Sequence, residues 1–338
     1  MKIFLAALFA LIILTLGAMC SAPGNSMVST ITIGSARINF TVEGGRLDLP
    51  QADITEWVRA AAESVATYYG RYPLEQVTIR IAPFDGRGVR NGRTFGENGG
   101  FISIHLGNES TASALKSDWM MTHEMIHLAF PSVADRHHWI EEGISTYVEP
   151  IARVRAKHMG EAAMWLELVR DLPQGLPAEG DKGLDHTHSW GRTYWGGALY
   201  CILADVEIHR RTNNRKGLED GLRGILNSGG DIRHEWALEK ALSVGDEATG
   251  VAVLRPLYDK MKDQPYPVDL GELWAELGVE RNGNGVRFVD SAPLAATRKA
   301  ITWGISATAS ADSAAATSSG APTRQYPAVV AGRTARSR

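Results

Sequence analysis

The sequence predicts an α+β fold, with a small mixed sheet and helix in the N-terminal part and a mainly helical C-terminal half. Three observations predict it. Segments 76–82 (QVTIRIA) and 101–106 (FISIHL) alternate apolar and polar residues with the period of a strand. After residue 107 the apolar residues recur every three or four positions, the period of a helix. Strands grouped ahead of helices, rather than alternating with them, mark the α+β class.

The elements follow in order. Residues 30–42 alternate and read as one or two strands, turned at Gly44-Gly45. Residues 52–69 form an amphipathic helix with Asp53 or Thr55 at its start and Gly70 as its stop. Strand 76–82 follows. Residues 84–100, rich in Gly, Arg and Asn, read as a long loop, and long loops in compact enzymes are often functional. Strand 101–106 leads into a helix over 110–130 that Pro131 ends. Further helices are expected over 139–156, 161–170, 192–212, 218–226, 232–242, 252–261 and 270–277. The boundaries are then 1–20 for a signal peptide, 21–29 for a linker and 30–305 for one folded unit. That unit is sheet-rich over 30–107 and helical over 108–305. Residues 306–338 are Ala, Ser and Thr rich, too poor in large apolar side chains to order themselves, and read as a disordered tail.

Bulk properties narrow the function. Hydrophobic residues are 44% of 338, enough for a substantial core, and a net charge of −3 offers no basic surplus for nucleic acid. Lys2 precedes an apolar run over 3–16, then Gly17 and Ala18, which is the pattern of a secretory signal. Three fates stand open: removal of residues 1–20, lipidation of Cys20 as in a bacterial lipoprotein, or retention as a membrane anchor. Each makes the protein exported, whether periplasmic, secreted or held at the cell envelope. The second cysteine, Cys201, lies in an apolar stretch and reads as a core residue, so no disulfide framework is expected.

The chemistry concentrates at His123-Glu124-Met125-Ile126-His127. Residues four apart share a helix face, so both imidazoles can address one ion, and neutral imidazole suits zinc. Glu124 sits about 100° further round the helix and can reach a water at the metal's open position. Met121, Met125, Leu128, Ala129, Ile126 and Phe130 make the helix apolar nearly all round, so it is expected inside the protein. Buried histidines and a buried glutamate need partners, and a metal supplies them. Catalytic zinc needs a third protein ligand. The helix that begins WIEEGISTYVE (139–149) has acidic residues at its start that can cross to the pair.

HEMIH followed by WIEEGISTYVE resembles the gluzincin metallopeptidases, whose catalytic domains are thermolysin-like. The resemblance implies zinc, one ion per chain, held by His123, His127 and Glu142, with Glu124 as general base. Glu141 is the alternative third ligand. The segment Thr193-Tyr194-Trp195-Gly196-Gly197-Ala198-Leu199 is similar to the Tyr-x-x-Gly-Ala motif of aminopeptidase N relatives and glycyl aminopeptidases. By that likeness Tyr194 donates a hydrogen bond to the oxyanion. The likeness covers roughly residues 50–300 and is specific in these three segments. The interval from His127 to Glu142 is shorter than in the aminopeptidase N family, which points to the peptidase MA-like branch. The Gly-Ala-Met-Glu-Asn motif of that family is absent, and Gly96-Glu97-Asn98-Gly99-Gly100 stands in its region.

The reaction implied is hydrolysis of a peptide or protein substrate. The strand FISIHL is expected to take up an extended peptide by strand addition, and activity is expected to fall in acid. Two other readings remain: a non-catalytic envelope protein that binds or scaffolds on a peptidase fold, and a zinc hydrolase of a non-peptide amide or ester. His105, His137, His138, His186, His188 and Arg192 are further polar candidates near these segments without an assigned role.

Overall fold

The structure is a computed structural model that describes residues 26–44, 47–96 and 99–304. The expected signal segment with Cys20, residues 21–25 of the linker, Gly45, Glu97 and the expected tail lie outside the described residues. No helix among the described residues is long and apolar enough to cross a membrane.

The first half is a five-stranded mixed sheet. Strands β1 (Met27–Ile33) and β2 (Ala36–Val42) form an antiparallel hairpin. Helix α1 (Gln51–Tyr69) then crosses over to β3 (Gln76–Phe84), parallel to β2. Strand β4 (Val89–Phe95) is antiparallel to β5 (Phe101–Gly107), which is parallel to β3. The order is β1-β2-β3-β5-β4, so β4 is an edge. Alternation buries Ile38, Phe40, Ile79, Ile81, Ile102 and Ile104 on one face. Each such side chain contributes about 1.5–3 kcal/mol relative to exposure.

Helices α2 (Ala112–Ser117) and α3 (Met120–His127) are separated by Asp118. The Asp118 carboxylate accepts the N–H groups of Met120 and Met121 and the indole N–H of Trp57. It thus satisfies donors that the start of α3 leaves open. Helix α4 (His138–Arg155) is buried along most of its length and packs against α1, α3 and α6. The rest is α5 (Glu161–Asp171), α6 (Gly197–Arg211), α7 (Leu218–Asn227), α8 (Leu238–Thr249), α9 (Leu254–Met261) and α10 (Leu270–Leu277). A hairpin, β6 (Val279–Asn282) with β7 (Gly285–Phe288), and α11 (Ala295–Trp303) complete it.

Several expectations need correction. Residues 30–42 belong to two strands that turn at Gly34-Ser35, and the first of them begins at Met27, inside the expected linker. The expected loop 84–100 contains β4, whose polar sequence VRNGRTF lacks a buried face and so gave no strand signal. The helix expected over 110–130 is broken in two at Asp118. Residues 232–237 are not helical. Their backbone is tied instead to Leu128 and Ser132, through Ile232 N–H to Leu128 O, Ser132 N–H to His234 O and Trp236 N–H to Ser132 O. The hairpin β6–β7 and α11 have no counterpart among the sequence expectations.

Candidate metal centre and cleft

Helix α3 presents His123 and His127 one turn apart, with ring centroids 4.9 Å from each other. Glu142, near the start of α4, points at both: its Oε2 is 3.0 Å from His123 Nε2 and 3.6 Å from His127 Nε2. The three residues each offer one ligand atom, all within 4.8 Å of one another. Glu142 is 8% exposed and His123 3%, so this polar group is enclosed. Burial alone would raise the Glu142 pKa, but its bonds to His123, His127 and His138 hold it far below the usual carboxylate range. Burial opposes a charge on His127, and the Glu142 carboxylate outweighs burial and raises its pKa.

Glu141 faces elsewhere. Its Oε1 accepts the Val133 N–H at 3.2 Å and its Oε2 lies 3.0 Å from His138 Nδ1. The geometry therefore places Glu142, not Glu141, against the histidine pair. His138, at the first position of α4, also reaches Glu142 Oε1 at 3.2 Å. Its two carboxylate partners, Glu141 foremost, push its pKa up to about 10.

Glu124 is held from the sheet side. Thr94 Oγ1 lies 2.7 Å from Glu124 Oε2 and 2.8 Å from the Glu124 carbonyl oxygen. A Cβ on Gly92 would stand 2.4 Å from Glu124 Oε1, so a side chain there would displace this carboxylate from its present position. Sequence reasoning missed both residues. An edge strand polar on both faces carries no periodicity that would single them out.

Tyr194 lies in a π-helical turn, Arg192–Gly196, that runs into α6. Such turns are frequent at functional sites. The Tyr194 ring stacks on His123 with centroids 6.2 Å apart and also on Trp190 at 5.5 Å. Burial, with the Glu142 and Glu124 carboxylates, raises its pKa to about 12. Glycines bring this turn to α4: a Cβ on Gly143 would meet Gly197 Cα at 2.3 Å, and one on Gly197 would meet the Trp139 carbonyl at 2.1 Å. Backbone lies on backbone there, so Gly143, which follows Glu142, and Gly197, three residues after Tyr194, form one contact.

These groups line a cleft of about 750 Å³. β4 lines it through Gly92–Phe95, as do residues 232–235. Glu124, His127, His138, Glu141, Glu142 and Tyr194 all face it. The remaining candidates stand apart. His137 is buried and bonded to Asp185 at 2.9 Å, and His186 pairs with Asp263 at the surface. Arg192 is buried against Asp181 at 2.7 Å, and His188 is exposed. His105 is half-buried on β5. The strand FISIHL is flanked by β3 and β4 on its two sides and has no free edge, which overturns its assignment as the peptide-accepting strand.

No protein-family profile matches the sequence, and no curated protein sequence matches it. Solved structures do match. An aminopeptidase N family protein from Idiomarina loihiensis superimposes with a TM-score of 0.57 at 12% identity, over 80% of this chain and 53% of its own. An M1 zinc metallopeptidase from Deinococcus radiodurans gives 0.47 at 15% identity, over 72% and 54%. The chain spans about half the length of these neighbours. What the first of them shows is a shared fold, with this chain's mixed N-terminal sheet followed by helices superimposing on that aminopeptidase N family protein.

Proposed function

We propose that this protein is an exported, zinc-dependent peptidase of gluzincin type with a thermolysin-like catalytic domain. The observation that carries the reading is the convergence of His123, His127 and Glu142 in one enclosed cluster on a cleft that also holds Glu124 and Tyr194. Two imidazoles and one carboxylate are a donor set of catalytic zinc. A buried carboxylate between two histidines fits a cation better than it fits solvent.

Bound zinc would supply Lewis acidity, lowering the pKa of water and drawing electron density from the scissile carbonyl. The chain's own residues do the rest. The edge strand β4 lines the cleft and aligns an extended peptide along it. Glu124, steadied by Thr94, takes the proton of the attacking water and passes it to the leaving amine. Tyr194, whose raised pKa keeps the phenol protonated, donates to the carbonyl oxygen as that oxygen gains negative charge. The substrate is a peptide or protein. Residues 1–20 direct export, with removal, Cys20 lipidation or anchoring distinguished by intact mass and membrane fractionation. A non-catalytic binder would have no use for a cradled Glu124.

Metal content tests the reading. Wild type is expected to hold close to one zinc per chain, Glu141→Ala to keep it and Glu142→Ala to lose it. Absence of zinc from wild type after reconstitution at neutral pH would sink the proposal. Activity on a panel of peptides, amides and esters then decides between a peptidase and a hydrolase of other bonds.

A further inference from the structure

The two oxygens of Glu142 have different company. Oε2 faces His123 and His127. Oε1 faces His138 Nε2 at 3.2 Å, on the same helix one turn earlier. The other nitrogen of that ring, Nδ1, is 3.0 Å from Glu141 Oε2, and the remaining oxygen of Glu141 accepts the Val133 backbone N–H at 3.2 Å. A continuous relay therefore runs from the connector between α3 and α4, through Glu141 and His138, to the outer oxygen of Glu142. His138 has a side chain 54% exposed, so its position is not fixed by a packed core. Its two carboxylate contacts fix it.

From this geometry we infer that His138 is a positioning residue. It holds Oε1 of Glu142 so that Oε2 alone is presented to the metal, and it thereby sets how tightly the site retains zinc. The inference rests on the zinc reading above. An unrestrained carboxylate at this place could rotate about its last bond or swing away from the histidines, and each alternative conformer lowers the fraction of chains poised to bind. Glu141 then has a use that is not ligation: it orients the ring that orients the ligand. His138 also stands in the cleft wall, so a substrate that displaces it would loosen Glu142.

The experiment is a zinc dissociation constant, measured by competition with a chromophoric chelator on the full chain, with no substrate present. Wild type, His138→Ala, His138→Gln and Glu141→Gln are compared, and the thermal midpoint of each zinc-free protein is recorded alongside. His138→Ala is expected to weaken zinc binding about 10- to 100-fold, the usual effect of removing a partner behind a metal ligand. His138→Gln keeps an N–H donor near Oε1 and is expected to recover most of that loss. Glu141→Gln is expected to fall between wild type and His138→Ala. Equal zinc affinity in wild type, His138→Ala and His138→Gln would overturn the inference while leaving the zinc site intact. So would a loss in His138→Gln as large as in His138→Ala, with unchanged zinc-free midpoints. If His138→Ala fails to fold, the comparison of His138→Gln with Glu141→Gln still decides. A wild type that binds no zinc removes the zinc reading itself, which the metal content already reports separately.

Discussion

Glu124 and Glu142 are carboxylates of one cleft with opposite surroundings. Glu142 is bracketed by three imidazoles, whereas Glu124 meets a hydroxyl and a glycine backbone. The first arrangement suits a ligand and the second a base free to exchange a proton. Glu124→Gln is accordingly expected to keep zinc and to lose about 100- to 10,000-fold in kcat, read by parallel metal content and peptide hydrolysis. Tyr194 is a separate case. Its phenol is pushed to about 12 by burial and by the two carboxylates, so it stays a donor past the ordinary phenol range. Tyr194→Phe should lower kcat about 100-fold or more with zinc retained. A Tyr194→Phe enzyme as active as wild type would remove the oxyanion role.

Two elements meet at Gly143 and Gly197, and their contact sets the distance between Glu142 and Tyr194. A methyl group on Gly143 cannot be accommodated by moving a side chain, because what it meets is backbone. Gly143→Ala is expected to cost about 1–3 kcal/mol by overpacking and to lower activity further by parting the helices. Thermal unfolding and kcat measured together check this. At the start of α3, Asp118 caps the helix that bears the histidines. Asp118→Ala is expected to lose about 1 kcal/mol, with the orphaned Trp57 indole adding to the cost. The glycine after Glu142 was legible as a motif, but its physical purpose was not, since the partner glycine lies 54 positions along the chain at Gly197. Strand β4 was illegible for another reason: an edge strand with both faces polar has the composition of a loop.

Across the whole molecule the candidate metal cluster ties α3, which packs on β4 and β5 of the sheet, to α4, which packs on α6 among the later helices. Zinc is therefore expected to stabilise the entire fold, by about 4 kcal/mol when free zinc exceeds its dissociation constant about a thousandfold. Calorimetry with and without a chelator measures this. Acid should undo it. Burial lowers the pKa of His127, but Glu142 raises it more, so protons compete for this ligand from above the ordinary histidine range. Zinc retention is then expected to be complete near pH 8 and to fall steadily toward about pH 5, as followed by metal content after dialysis.

By itself the sequence determined what is local. The face shared by His123 and His127 follows from helical spacing, as does the offset of Glu124. The alternation in QVTIRIA and FISIHL placed the central strands. The tertiary structure decided what depends on distant segments meeting. It turned Glu142 to His123, 19 residues before it, and tied Glu141 to the connector. It brought Thr94 across 30 residues to Glu124, and it laid Tyr194 on His123. Helical periodicity fixes relations within a few residues because each turn repeats the same backbone geometry. Which oxygen faces which ring is fixed only when packed helices and a sheet edge leave a carboxylate one direction to point.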